Sequence, residues 1–276
     1  MTEQSITPEL RRWIVEQAAA GRGSESVLQA MIDSGWSEDT AIEALGQTLA
    51  ETLDRGAVPR LPGPALDAAV PAMPAGDRDV AVLATLRRPR LVVFGGLLAD
   101  DECAALIDCA GQRLARSQTV AERDGESEIN AARTSEGMFF ERGENPLVAR
   151  IEARIAALLN WPVDHGEGLQ VLRYRPGAEY KPHYDYFDPA QPATEAILKR
   201  GGQRLATLVM YLSTPARGGA TTFPDARFEV TPLRGNAVFF SYDRPRPETL
   251  TLHGGAAVLE GEKWVATKWL RAGRFD

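Results

Sequence analysis

Apolar residues recur at helical spacing through residues 7–53 and change to short alternating runs after residue 160. Leu10, Trp13, Ile14 and Ala18 share one helical face, with Thr7 placed to cap it and Pro8 in its first turn. Gly21-Arg22-Gly23 stops that run, and Ser24 opens a second with Val27, Leu28, Met31 and Ile32. Ser34-Gly35 ends the second, and Ser37 caps a third carrying Ala41, Ile42, Leu45 and Leu49. The pattern predicts a small three-helix bundle over residues 1–53. Pro59, Pro62, Pro64, Pro71 and Pro74 among Ala and Gly then predict a semi-stiff linker over 54–87. From 88 to 276 the chain reads as a second domain. Residues 91–94 form a strand candidate, and Asp100, Asp101 and Glu102 supply acidic helix-start chemistry for a helix reaching 114. A further helix is expected over 145–159. The polar stretch 120–131 reads as a mobile loop, either plain surface or a lid over substrate. Short strands are expected at 169–175, 205–212, 228–231, 237–242 and 263–271, separated by Gly and Pro turns, which indicates an antiparallel sandwich or barrel.

Composition narrows the function classes. The 276 residues are 44% hydrophobic and 25% charged, enough apolar material for a sizeable core. A net charge of −7 argues against a general binder of nucleic-acid backbones. No apolar run approaches the roughly 20 residues of a membrane-spanning helix. The first eight residues lack the basic start and apolar stretch of a secretion signal. Cys103 and Cys109 are six residues apart on one expected helix, a poor geometry for a bridge, and read as buried reduced thiols. These signs together predict a cytoplasmic protein. The segment from Val27 to Leu45, with Met31, Gly35-Trp36 and Ala41, resembles ubiquitin-associated three-helix modules, which implies a bundle that packs or docks an unidentified protein.

Only three histidines are available: His165, His183 and His253. His183 and Asp185 lie within Lys181-Pro-His-Tyr-Asp-Tyr186; on a strand, residues two apart face the same way, with Cβ atoms about 6.6 Å apart. His253 lies on a later strand end. Two imidazoles and one carboxylate on one side of a metal leave the other positions open, the donor set of non-haem Fe(II) oxygenases. Lys263, ten residues past His253, shares a strand face with Val265, Thr267 and Trp269. A cation facing into a half-apolar barrel is costly unless it meets an anion, and a dicarboxylate co-substrate would supply one. His165 reads as a surface histidine; Tyr184, Tyr186 and Trp264 read as packing residues.

With those residues in place, the stretch from about 90 to 273 resembles the catalytic domain of the prolyl 4-hydroxylases that depend on 2-oxoglutarate and Fe(II). The matching motifs are Arg133-Thr-Ser-Glu-Gly-Met138, Leu169-Gln-Val-Leu-Arg-Tyr-Arg-Pro-Gly177, Tyr180-Lys-Pro-His-Tyr-Asp185, Gly201-Gly-Gln-Arg204, Gly218-Gly-Ala-Thr221 and the run from His253 to Trp269. The resemblance implies an α+β protein with a double-stranded β-helix (jelly-roll, cupin-like) core, supporting helices and the small N-terminal bundle. It implies that His183, Asp185 and His253 ligate iron. It implies that Lys263, Tyr174, Thr221 and Trp269 hold or border 2-oxoglutarate. It places Arg133, Ser135, Tyr180 and Arg204 near a bound peptide. The implied reaction is hydroxylation of a prolyl residue at the 4-position in a peptide or protein, using O2 and yielding succinate and CO2, with ascorbate as an accessory reductant. The carboxylate at Asp185 favours hydroxylation over halogenation. The residues leave open the same chemistry on a free amino acid or small metabolite, a non-catalytic barrel scaffold, and a zinc hydrolase, though the last leaves Lys263 unexplained.

Overall fold

The computed structural model of the chain describes residues 6–19, 22–54, 61–66, 70–116, 119–120, 127–128 and 134–276. The chain divides into two units, Met1–Arg60 and Leu61–Asp276.

In the first unit, α1 (Pro8–Ala19), α2 (Ser24–Asp33) and α3 (Glu38–Asp54) share a core of Leu10, Ile14, Val27, Met31, Ala41, Ala44 and Leu45. Thr7 Oγ1 accepts from the Leu10 amide at 3.3 Å and Ser37 Oγ from the Thr40 amide at 3.2 Å, which satisfies amides that have no partner within the helix. Ile42 departs from its expected inward place and is 52% exposed. The buried stripe of α3 runs through Ala41, Ala44 and Leu45, and Ile42 sits one residue round from it.

In the second unit the strands are β1 (Ala72–Pro74), β2 (Asp79–Leu86), β3 (Arg90–Gly95), β4 (Ala115–Arg116), β5 (Glu136–Phe140), β6 (Leu169–Tyr174), β7 (Tyr180–His183), β8 (Arg204–Tyr211), β9 (Thr221–Phe223), β10 (Phe228–Val230), β11 (Ala237–Ser241), β12 (His253–Gly255) and β13 (Lys263–Arg271). A nine-stranded sheet has the order β1-β2-β3-β11-β8-β13-β6-β5-β4, and a four-stranded sheet the order β10-β9-β12-β7. Two short ribbons pair Arg217–Gly218 with Val258–Glu260 and Thr119–Val120 with Ser127–Glu128. All of the second ribbon except Thr119 falls within the predicted loop 120–131; most of that loop, and with it the lid reading, lies outside the described residues.

The central strands of the large sheet are buried on both faces. On one face Val92, Phe94, Leu169, Val171, Ala206, Leu208, Phe239 and Ala266 pack with Cys103 and Leu106 of α4 (Asp100–Gly111) and Val148, Ile151 and Ile155 of α5 (Pro146–Leu159). On the other, Leu91, Val93, Leu172, Val209, Tyr211, Val238, Phe240 and Val265 pack with Phe223 and Val230 of the small sheet. Period-two alternation thus gives each central strand one helix-facing and one barrel-facing edge. The result is a double-stranded β-helix backed by helices. α5 starts where the Asn145 side chain accepts from the Val148 amide at 3.0 Å, with Pro146 next, and stops at Asn160 in the left-handed region.

The expected linker is largely structured. Residues 72–74 and 79–86 form the two outer strands β1 and β2, and Val80 is fully buried. The free edge of β3 offers backbone partners that outweigh the local proline signal, and Pro74 ends an edge strand, where a missing N–H is tolerated. Nearer the start of the unit, the Gly63 amide donates to the Leu159 carbonyl at 2.8 Å. Cys103 is buried as expected, but Cys109 is exposed; both are free.

Candidate active site

Inward residues of β6, β8 and β13, with residues of β7, β9 and β12, line one cavity. The alternation along β13 is what delivers Lys263, Val265, Thr267 and Trp269 together to its wall.

His183 and His253 stand opposite each other in the β7–β12 pairing. Their ring centroids are 4.4 Å apart. Asp185 does not share their strand: β7 ends at His183, so the same-face expectation for the pair fails. Instead Asp185 lies in a turn held from outside. Gln203 bonds both the Phe187 amide and carbonyl at 2.8 Å, and the Arg204 guanidinium donates to the Asp185 carbonyl at 3.3 Å.

The protonation pattern follows from the backbone. His183 Nδ1 lies 2.9 Å from the Lys181 carbonyl and His253 Nδ1 lies 3.0 Å from the Thr251 carbonyl. A carbonyl only accepts, so each Nδ1 carries a proton, and Nε2 is the ring nitrogen turned toward Asp185. Those Nε2 atoms lie 3.5 Å from Asp185 Oδ1 and 3.4 Å from Asp185 Oδ2. Burial pushes His253 down to about 4, keeping its imidazole neutral at physiological pH. Burial works against ionising Asp185, but His253, His183 and Arg204 outweigh it and hold the carboxyl well below its usual range. One donor atom from each of His183, Asp185 and His253 falls within 4.8 Å of the others. Two imidazole nitrogens and one carboxylate brought together in this way fit a divalent transition metal.

Lys263 is 4% exposed. Its Nζ lies 5.5 Å and 5.9 Å from the ring centres of Tyr174 and Tyr211, with no carboxylate partner among the described residues. Burial lowers it to about 8. Tyr174 and Thr221 line the same cavity, and the Tyr211 hydroxyl donates to Thr221 Oγ1 at 2.8 Å. A buried cation with hydroxyl groups around it fits a small dicarboxylate.

Trp269 also lines the cavity, and its buried indole N–H has no hydrogen-bond partner among the described residues. Tyr180 lines it too, stacked on the His183 ring at 3.7 Å. Ser135 is fully buried and is not part of the cavity wall. Arg204 is also absent from the wall: it makes a two-point ion pair with Glu167 at 2.6 and 2.8 Å and lies over the Trp269 ring at 4.1 Å. Arg133 lies outside the described residues. Sequence reasoning missed Thr207, Tyr211, Gln170 and Tyr242. The first three sit at alternate positions on strands it had placed, so period-two counting could have found them. Tyr242 follows β11 directly, and nothing local marks it.

Residues 169–271 match the family described as the 2OG-Fe(II) oxygenase superfamily. Prolyl 4-hydroxylase 2 of Arabidopsis thaliana is 39% identical over 212 residues, covering 68% of this chain and 69% of that protein. Prolyl 4-hydroxylase 1 of the same plant is 41% identical over 204 residues, covering 66% and 69%. Among solved structures, the viral collagen prolyl hydroxylase from Paramecium Bursaria Chlorella virus-1, in its 2OG complex, aligns with a TM-score of 0.50 and 32% identity, covering 66% of this chain and 95% of that one. The chain belongs to the 2OG-Fe(II) oxygenase superfamily, and within it to the prolyl 4-hydroxylases.

Proposed function

We propose that this protein is a 2-oxoglutarate- and Fe(II)-dependent dioxygenase that hydroxylates a prolyl residue of a peptide or protein. The observation that carries this reading is the His183–Asp185–His253 cluster in one cavity with an unpaired, buried Lys263. When bound, iron with 2-oxoglutarate and O2 supplies the oxidising power to hydroxylate an unactivated C–H, coupled to formation of succinate and CO2. The chain's own residues supply position. His183, Asp185 and His253 hold the metal from one side and leave the other side to co-substrates. Lys263 pairs with the distal carboxylate of 2-oxoglutarate, with Tyr174 and Thr221 beside it. The apolar walls at Leu172, Val209 and Val265 keep water away from the reacting C–H. Trp269 and Tyr180 border the space left for the prolyl side.

Ascorbate as reductant, a cytoplasmic setting and a protein-docking role for the N-terminal helices complete the reading, and their support is the sequence alone. A second reading is the same chemistry on a free amino acid or small metabolite.

The test is an anaerobic titration of metal-free protein with Fe(II) and 2-oxoglutarate, with Asp185→Ala beside it, followed by turnover on proline-rich peptides and on free proline. A visible charge-transfer band lost in the variant, with peptide hydroxylation at carbon 4 matched by succinate, is expected. Absence of the band in folded, iron-loaded protein would sink the assignment. Turnover of free proline alone would select the second reading.

A further inference from the structure

Asp185 is the one member of the triad without a strand to hold it. Its side chain is nonetheless fixed. Thr207, fully buried on β8, donates from Oγ1 to Asp185 Oδ2 at 2.7 Å. The Tyr242 hydroxyl lies 3.0 Å from the same Thr207 Oγ1. An ionised carboxylate can only accept, so the single Thr207 proton is committed to Asp185. The Tyr242 hydroxyl must then be the donor to Thr207, and the order runs Tyr242 to Thr207 to Asp185.

Both hydroxyls are carried on rigid backbone. Thr207 lies inside the β8–β11 pairing, opposite Phe240, and the Tyr242 amide donates to the Leu205 carbonyl at 2.9 Å. Tyr242 is 2% exposed, with Tyr186 edge-on to its ring at 5.8 Å. We propose that Thr207 and Tyr242 are positioning residues, a directed relay of two hydroxyls that fixes the Asp185 carboxylate and so sets how tightly the triad holds its divalent metal. This rests on the reading of the triad as a metal site. A hydroxyl that orients a ligating carboxylate typically changes metal affinity about 10–100-fold when removed.

The test uses the full chain stripped of metal by a chelator. Anaerobic calorimetry with Fe(II) and visible absorption with Co(II) are run on the parent and on Thr207→Val, Thr207→Ser, Tyr242→Phe and His183→Ala. Valine keeps the shape of threonine and removes the hydroxyl. Expected are an affinity loss of about 10–100-fold and an altered Co(II) band for Thr207→Val. Near-parental values are expected for Thr207→Ser, and a smaller loss in the same direction for Tyr242→Phe. A folded Thr207→Val with parental affinity and an unchanged Co(II) band overturns the relay. If that variant fails to fold, Tyr242→Phe decides: weakened binding supports the relay and parental binding overturns it. A parent that binds no better than His183→Ala overturns the metal reading, and the relay with it.

Discussion

A buried ammonium with no counter-ion among the described residues, Lys263, is the most informative single group here. The ordinary lysine value is 10.5, and burial takes Lys263 to about 8. That difference corresponds to about 3 kcal/mol of native-state destabilisation while the folded form stays protonated. The sign follows from proton counts: between about 8 and 10.5 the unfolded chain binds more protons than the native one, so stability rises with pH across that window. Lys263→Met, which keeps the stem and removes the charge, should therefore stabilise the ligand-free protein by up to about 3 kcal/mol below pH 8. The gain should fade toward pH 10.5; urea unfolding at several pH values reads it. The same substitution should weaken 2-oxoglutarate binding by about 2–5 kcal/mol, because a bound dicarboxylate is left without its partner. In the parent, apparent 2-oxoglutarate affinity should fall as pH rises through about 8, and in Lys263→Met it should be flat there. An affinity that is indifferent to the substitution would remove Lys263 from this role. The lysine was legible in the sequence because strand alternation pointed it inward. The ion pair of Arg204 was not legible: its partner Glu167 is distant in sequence and marked by no local pattern.

At the scale of elements, helix packing turns on one ion-paired arginine. Arg154 of α5 is 3% exposed and reaches Glu102 at the start of α4 at 2.7 and 2.8 Å, and Asp77 of the β1–β2 turn at 2.7 Å. It also donates to the Leu97 carbonyl at 2.8 Å. Glu102 in turn accepts from the Ala99 amide at 3.0 Å, closing the helix start. Burial pushes against ionising Glu102, but Arg154 and that amide outweigh it and bring the carboxyl down to about 2. Such a group contributes stability that is fully present above its ordinary value near 4.5 and is lost as pH falls toward about 2. Glu102→Ala should cost about 1.5–3 kcal/mol at pH 7, since Arg154 keeps Asp77 but loses its buried partner. The difference from the parent should shrink as pH drops from 4.5 toward 2, a trend that chemical unfolding at stepped pH measures. The helices themselves were readable from their spacing and caps. The link between them was not, because it joins three elements far apart in the chain. The turn carrying Asp185 escaped for a related reason: tertiary hydrogen bonds from Gln203 and Arg204 shape it, and a motif two residues long cannot announce them.

For the whole molecule, the boundary between units decides what can stand alone. Every cavity residue and both large apolar clusters belong to Leu61–Asp276. A fragment of residues 61–276 should therefore fold and bind Fe(II) and 2-oxoglutarate as the full chain does. The boundary expected from composition, at 88, should fail. Cutting there removes β1 and β2, exposes the backbone edge of β3 and deletes the buried Val80 and Ala75. It also deletes residues 61–66, where the Gly63 amide meets the end of α5. A buried Val contributes about 1.5–3 kcal/mol, and an edge strand with its ladder adds to that. Against a typical total of about 5–15 kcal/mol, the loss is large enough to leave an 88–276 fragment aggregated or partly unfolded. Composition put the boundary too late because proline and alanine mark extended chain equally well in a linker and on the rim of a sheet. The neighbour that tells them apart, β3, lies further along the sequence. Solubility, thermal unfolding and Fe(II) calorimetry on the two fragments provide the comparison. Equal behaviour of both would mean that β1 and β2 merely decorate the sheet, and that the barrel needs no support from them.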